Sequence, residues 1–545
     1  MPGPSTLQKI SQGMLVNSSG IIVSRVTGLV RDIVFAGFFG TGEAIAAFML
    51  AYTVPNVFRS LFGEGALTEA FVPVFNEKLA RQGKAEAFLL LSRVLSVTLL
   101  ALTSICAIGI GVCLLLRPWL PGPLAQATLK LLPIMFPFVI FICAVGFLTG
   151  VLNSFDKFAV PAFAPAVLNL VLIGATVYVC PRLGTTGLDH VTGLAWLVVV
   201  AGLLEALVFV PVLWRLGYRF RFLPQFRSEP VRDLFRLLVP GLIGAGVYQI
   251  AVLINRIMAG WLGPDAVTSL YYSERLVYLP IGVFSVALTG ACLPVMSRAF
   301  AQGRPGEMLE ALFYSIRHTL FLSLPCVLGL IILGDRVVSL LFRYGQFDDA
   351  SFAATMAALQ CYALGIPAFA ALKILRSGFF SRKDTKTPLK VSVTCLAVNL
   401  VLNLALMFPL RQRGLALATS VSACLNCAIL AVLLYRQLLP DHAKLRALGL
   451  ALGKQLLALG GAGVAMGLLR FEFTLALGLG RRGDLLTNRL VNFLVPAVGG
   501  MAVYFIVAFI LRSPEVHELL DVVRQKLRRR RGAGAGQGQC GCPPE

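Results

Sequence analysis

The feature that most constrains this chain is the recurrence of unbroken apolar blocks, at 88–116, 127–151, 191–214, 319–334, 391–409, 414–434 and 490–511. A helix of about 20 apolar residues covers the hydrocarbon core of a bilayer, so these blocks are long enough to span one. They are continuously apolar rather than alternating, which excludes the strands of a closed barrel and leaves helices as the spanning elements. Only 14% of the 545 residues are charged, where soluble domains carry about a quarter. Counting the more polar segments between the blocks, the sequence predicts an all-α polytopic membrane protein of roughly fourteen spans. The N-terminus lacks a basic–apolar–small signal pattern, and its first apolar stretch runs into Ser24-Arg25 and Arg31-Asp32 instead of a cleavage site.

The formal net charge of +22 is unevenly placed. Basic residues crowd alternate loops: Lys78, Arg81 and Lys84; Arg215, Arg219, Arg221, Arg227, Arg232 and Arg236; Arg298 and Arg304; Arg382, Lys383, Lys386 and Lys390; Arg436, Lys444 and Arg446. The tail adds Arg524, Lys526 and the run Arg528 to Arg531. The loops between them, 118–126, 181–190 and 261–269, are poorer in charge. By the positive-inside rule the basic set is cytoplasmic, as are both termini. The last outer loop is an exception, with Arg470, Arg481, Arg482 and Arg489. A juxtamembrane basic cluster meets anionic lipid headgroups, so membrane lipids rather than nucleic acid are the expected partner of the tail.

Ten of the twelve cysteines fall in apolar segments, where a thiol acts as a small hydrophobe. Cys424 and Cys427 form a C-x-x-C inside a span, and His190, His318, His442 and His517 are scattered. No metal-ligand constellation or metal cofactor is expected.

The chain resembles itself at an offset of about 220 residues, 53–83 matching 278–303. Pro55 pairs with Pro280, Pro73 with Pro294, and Gln82-Gly83 with Gln302-Gly303. The string NSFDKFAVP (153–161) echoes FSRKDTKTP (380–388), and GLAW (193–196) echoes GLAL (414–417). Paired points keep the same order and the same side, which makes a parallel repeat of two six-span lobes, an arrangement suited to alternating access. The expected divisions are an N-lobe at 1–222, a C-lobe at 223–440, an accessory helix pair at 441–515 and a basic, Gly-rich cytoplasmic tail at 516–545. A duplicated scaffold that transports nothing is the competing reading.

Segment 14–80 reads as two spans yet holds Ser24, Arg25, Arg31, Asp32, Glu43, Arg59, Glu64 and Glu69. A charge at a helix centre costs about 2.5–3.5 kcal/mol on insertion scales, so several of them imply a wet cavity or mutual pairing. Arg25 and Arg31 are six residues apart, about 9 Å along a helix and on different faces, with Gly28 between them as a candidate bend. Arg31 and Asp32 are sequence neighbours, which on a helix do not face each other, so each is expected to find its partner elsewhere. The second half adds Glu274, Arg275, Lys373 and Arg376. A guanidinium fork matches phosphate, so a cationic cavity shared by both lobes predicts an anionic cargo with a phosphate or pyrophosphate headgroup. The alternative is that the arginines snorkel to headgroups or close ion pairs. Glu64 is a gate, a proton-linked carboxylate or a partner for Arg59.

At these residues the sequence resembles the MurJ (MviN) lipid II flippases of the multidrug/oligosaccharidyl-lipid/polysaccharide exporter superfamily. The matching strings are SRVTGLVRD (24–32), VPNVFRSLFGEGALTEAFVPVF (54–75), LNSFDKFAVPAFAPAVLN (152–169), YYSERL (271–276), LPVMSRAFAQG (293–303), RYGQF (343–347) and SRKDTKTP (381–388). The resemblance implies fourteen helices in two lobes around a cationic cavity. It also implies export of the undecaprenyl-pyrophosphate-linked peptidoglycan precursor from the cytoplasmic to the periplasmic leaflet of the bacterial inner membrane. It places the substrate-binding residues at Arg25, Arg31, Arg59 and Arg275, with Ser24 and Asp32. Read from the residues themselves, Glu64, Glu43, Glu274 and Lys373 are candidates for gating or coupling. Lipid II is the implied partner, alongside cell-wall synthesis proteins, and the accessory pair is associated with a groove for the lipid tail. Two departures stand out: Ala46 occupies a position where many relatives carry Asp, and Asn399, Asn403 and Thr419 match a monovalent-cation site but lack its carboxylate. Coupling to the membrane potential, to protons or to a monovalent cation therefore stays open. The competing functions are export of another lipid-linked oligosaccharide or of a cationic drug, a non-transporting scaffold, and a membrane-embedded glycosyltransferase. A glycosyltransferase would need paired carboxylates at a membrane face; the Asp348-Asp349 pair reads as a solvated turn, so no enzyme is expected.

Overall fold

In a computed structural model of the chain, the structure describes residues 4–63, 66–184, 186–225, 228–438, 442–476 and 486–518, together with 520, 521 and 524. Every regular element among them is a helix. In chain order they are α1 (Pro4–Phe39), α2 (Glu43–Phe58), α3 (Ala66–Leu116), α4 (Pro123–Ser154), α5 (Ala159–Gly174), α6 (Gly187–Leu207), α7 (Val210–Arg215), α8 (Glu229–Leu262), α9 (Pro264–Ala301), α10 (Pro305–Leu341), α11 (Asp349–Ala363), α12 (Ile366–Ser381), α13 (Lys386–Leu410), α14 (Gln412–Leu438), α15 (His442–Ala476) and α16 (Leu486–Ile510). A π-helical turn, Arg59–Gly63, follows α2, and α3 breaks at Gly83, whose φ of 84° is not helical.

Ten helices among the described residues are long and apolar enough to cross a membrane, or eleven if α11 and α12, bent by 43°, form one span. The count of roughly fourteen is not reached on length and apolarity alone. α1 and α9 are not among the ten, and α8 is apolar over Gly246–Leu262 but short of a full span over that stretch. These are the helices that carry Arg31, Asp32, Arg256, Glu274 and Arg275. Large apolar side chains face outward, among them Ile108 at 67%, Leu457 at 66% and all four tryptophans, which are 58–79% exposed. Against lipid such a face carries no penalty, and tryptophan is favoured near the interface.

The repeat is visible in the backbone. α4 and α12 end in the same way: Lys157 N–H donates to the Leu152 carbonyl at 2.9 Å, and Asp384 N–H to the Phe379 carbonyl at 3.1 Å. Between them Asp156 and Lys383 take φ of 58° and 61°. This is a Schellman cap with a left-handed residue, built twice at positions the sequence repeat pairs. Gly83 and Gly303, also paired, both have positive φ. The halves differ where α2, the π-helical turn and the first limb of α3 correspond to a single helix, α9.

The chain forms two compact units, Met1–Arg275 with Leu341–Ala358 and Leu396–Leu415, and Leu276–Leu340 with Leu359–Cys395 and Ala416–Glu545. The first has a core of Phe71, Phe75, Leu91, Val94, Phe147 and Phe209. Hydrophobic transfer does not drive helices together in lipid, so this core holds by van der Waals contact and ring packing, such as the edge-on pair Phe71–Phe147 at 5.2 Å. In the second unit Met296, Leu312, Ile374, Phe379 and Leu430 pack together. α16 joins α10 there through Phe321 and Tyr504, whose hydroxyl donates to the Phe321 carbonyl at 3.0 Å.

Candidate functional site

The first unit brings α1, α5 and α9 together around one buried charge cluster. α1 is one continuous helix through Gly28, which lies against the Asn169 side chain and serves as a seat for α5. Arg31 and Asp32 are 6% and 1% exposed. Contrary to the sequence expectation, these neighbours bond to each other: Arg31 Nε and Nη2 donate to Asp32 Oδ1 at 3.1 and 2.8 Å. The neighbour rule describes short side chains pointing apart. A guanidinium is long enough to fold back, and both residues are drawn towards the same groups on α9.

Those groups are Tyr271 and Arg275, one helical turn apart. Arg275 Nε lies 3.2 Å from Asp32 Oδ2, and its Nη2 donates to the Tyr271 hydroxyl at 2.9 Å. Arg31 Nη2 donates to the same hydroxyl at 3.1 Å, and that hydroxyl donates to Asp32 Oδ1 at 3.2 Å. The Tyr271 ring also receives cations on its face, with Arg275 Cζ at 4.9 Å and Arg256 Cζ at 5.6 Å from its centroid. Arg256, on α8, pairs with Glu274. On the α5 side, Arg31 Nη1 donates to Asn169 Oδ1 at 3.0 Å, while Asn169 Nδ2 donates to the Ser24 carbonyl and the Thr27 hydroxyl at 3.1 and 3.2 Å. Three guanidinium groups thus stand with two carboxylates in a low-dielectric setting, leaving one net positive charge for an anion. Arg275 is the open member, its side chain 46% exposed.

The structure brings Arg31, Asp32, Arg275 and Glu274 into this neighbourhood, and Ser24 joins through its carbonyl. Arg25 is half-buried on α1 and bonds to no other described residue. Arg59 opens the π-helical turn, and Tyr52 of α2 lies within electrostatic reach of Arg59, Arg31, Tyr271 and Glu205. Glu43 is exposed in the first turn of α2, where a carboxylate suits the helix dipole, and it stands apart from the cluster; Ala46 is buried. Glu64 lies outside the described residues. Lys373 and Thr419 belong to the second unit, both half-buried.

Asn399 and Asn403 are buried on α13 and meet a third amide on α8: Asn403 Nδ2 donates to Asn255 Oδ1 at 2.6 Å and to Asn399 Oδ1 at 3.1 Å. The Asn403 Oδ1 atom itself is buried without a hydrogen-bond partner among the described residues. Sequence reading missed Asn169, Tyr271, Arg256, Asn255 and Glu205. Arg256 and Glu205 are charges inside apolar helices, a signal available from the sequence; the neutral polar residues give a weaker one.

The profile of a family described as "Lipid II flippase MurJ" matches residues 35–480. A protein from Vibrio cholerae described as a probable lipid II flippase MurJ is 34% identical over 434 residues, covering 77% of this chain and 82% of that protein. A Rhizobium tropici protein of the same description is 34% identical over 521 residues, covering 93% and 94%. Among solved structures, one described as "Lipid II flippase MurJ, inward closed conformation" superposes with a TM-score of 0.73 at 21% identity, over 91% of this chain and 99% of that one.

Proposed function

Because the chain belongs to the lipid II flippase MurJ family, we propose that it carries the lipid-linked peptidoglycan precursor from the cytoplasmic to the periplasmic leaflet of the bacterial inner membrane. Family membership supplies the cargo. The observation that carries the mechanism is the convergence of Arg31 and Arg275, from the first and second repeats, on one buried point with a spare positive charge. A guanidinium fork accepts two phosphate oxygens at once, and exclusion of water strengthens the attraction. In this reading the pyrophosphate enters at the exposed edge of Arg275 and is drawn towards Arg31, with Arg25 and Arg59 further along its path. The six-span lobes rock about this point so that it opens to one leaflet at a time. The protein moves its cargo without making or breaking a covalent bond. With only neutral amides at Asn255, Asn399 and Asn403, the membrane potential acting on the charged headgroup is the favoured driving force over a monovalent cation.

The test is complementation in a bacterium depleted of its own lipid II flippase, reading growth and the leaflet distribution of lipid II. The wild-type chain is expected to restore both. Arg31→Ala and Arg275→Ala are expected to insert at normal levels and restore neither. A wild-type chain that inserts yet leaves lipid II in the inner leaflet would point to another lipid-linked oligosaccharide as the cargo.

A further inference from the structure

The cluster that is read as the cargo's phosphate site already holds an anion. Both oxygens of the Asp32 carboxylate are engaged, Oδ1 by Arg31 and Tyr271 and Oδ2 by Arg275, and the residue is 1% exposed. Four of the five N–H groups of Arg31 are engaged, those of Nε and Nη2 by Asp32 and Tyr271 and one of Nη1 by Asn169, so the edge that faces Asp32 is taken. A phosphate group arriving at Arg31 therefore finds its fork occupied by a group of the same charge and similar oxygen spacing. We propose that Asp32 is a resident competitor: the diphosphate displaces its carboxylate from the two guanidinium groups on binding, and the carboxylate retakes them when the cargo leaves. This rests on the reading of Arg31 and Arg275 as the diphosphate site.

Charge decides why such a competitor is useful. A diphosphate diester carries one negative charge on each phosphorus, which two bare arginines would neutralise fully. In a desolvated setting that complex would be tight, and a transport site must release as well as bind. With Asp32 in place the loaded site carries a net negative charge, which weakens the hold. Arg275 is suited to first contact, because its half-exposed guanidinium keeps N–H groups beyond those given to Asp32 and Tyr271. Tyr271 and Tyr272 of α9, Arg256 of α8, Glu274 and Tyr52 of α2 are the other titratable and charged groups near the exchange, with Arg59 and Glu205 in reach of Tyr52.

If Asp32 only aimed the arginines, removing its charge would weaken anion binding; a competitor's removal tightens it. The experiment uses the full chain in zwitterionic phosphatidylcholine nanodiscs, with inorganic pyrophosphate titrated by calorimetry. Asp32→Asn is expected to bind about tenfold tighter or more, because a unit charge a few ångströms away outweighs that factor even at moderate dielectric. It is also expected to lower turnover in the complementation assay, while Arg275→Ala loses binding. Asp32→Asn binding no tighter than wild type, with Arg275→Ala weaker than both, overturns the competitor and leaves the arginine site standing. Equal binding by wild type and both variants, or by none, overturns the site itself. A second measurement needs no variant: reaction of wild-type Asp32 with dicyclohexylcarbodiimide, read by peptide mass spectrometry, is expected to rise several-fold with pyrophosphate present. Unchanged or lower reactivity counts against displacement.

Discussion

Tyr271 shows what a neutral side chain does among charges. Its hydroxyl takes donors from Arg31 and Arg275 and donates to Asp32, while its ring lies under Arg256 and Arg275. Tyr271→Phe keeps the ring and removes the hydroxyl, leaving two guanidinium donors and one carboxylate short of a partner. The expected loss is about 1–3 kcal/mol of stability, the penalty for unsatisfied buried polar groups, read as a lower melting temperature in detergent with weakened complementation. Tyr271→Leu also removes the cation–π contacts, adding about 0.5–2 kcal/mol. A Phe variant that melts and complements like wild type would mean the hydroxyl is idle. At this scale the sequence exposed Arg31, Asp32 and Arg275, because a charge inside an apolar block is conspicuous. Tyr271 and Asn169 escaped because neither disturbs the apolar pattern, and the Arg31–Asp32 bond escaped because helical periodicity takes no account of arginine's reach.

At the level of elements, the loop after α10 docks on the end of α1 through a backbone hydrogen bond. Gln346 N–H donates to the Gly37 carbonyl at 2.9 Å, and Gly40 and Gly345 take φ of 59° and 58°. A Cβ on Gly345 would stand 2.1 Å from the Gly37 carbonyl oxygen, and one on Gly40 would stand 2.4 Å from that of Gln346. Thr41 extends the seam to Ser351 at 2.7 Å and to Asp265 at 3.1 Å. Ser351 in turn donates its hydroxyl and N–H to Asp348, holding that carboxyl below the usual carboxylate range. Asp348 is therefore a cap for α11, which refines the solvated turn expected from sequence. Gly345→Ala should bring both left-handed strain, about 1–3 kcal/mol, and a clash with rigid backbone. Gly303→Ala supplies the comparison: its φ is 68°, but nothing lies within 4 Å of its Cβ, so only the strain applies. Melting temperatures of the two variants should fall in that order, Gly345→Ala the lower; equal values would mean the seam yields without resistance. The RYGQF string (343–347) stood out in the sequence as a family match, whereas its partner did not, because Gly37 contributes only a carbonyl that no residue pattern encodes.

Over the whole molecule, the repeat was the most legible property, since paired prolines and caps survive divergence that erases most side chains. The span count was less so: α8, which carries Arg256, is apolar over Gly246–Leu262 but too short over that stretch to be counted as a span. The charge asymmetry had one exception, in the last outer loop, and the structure gives a cause for two of its four arginines. Arg470 bonds to the Ile332 carbonyl and, at 3.0 Å, to Asp335, and Arg489 donates to the Ser339 carbonyl at 3.2 Å. Their charge is committed to the final turns of α10, where a helix dipole favours cations, so they weigh little in deciding which side a loop takes. Arg481 and Arg482, the other two of that loop, lie outside the described residues. A parallel repeat makes its own prediction about sidedness. Lys157 and Asp384 close the two duplicated caps, and a parallel repeat predicts that both are reached from one side of the membrane and the loop holding Trp119 from the other. In a chain freed of its native cysteines, Trp119→Cys should react with a membrane-impermeant maleimide in intact spheroplasts, whereas Lys157→Cys and Asp384→Cys should react only after lysis. Labelling of Lys157→Cys and Asp384→Cys from opposite sides would turn the repeat into an inverted one, and two lobes rocking about an axis along the membrane normal would no longer describe how the site changes leaflet.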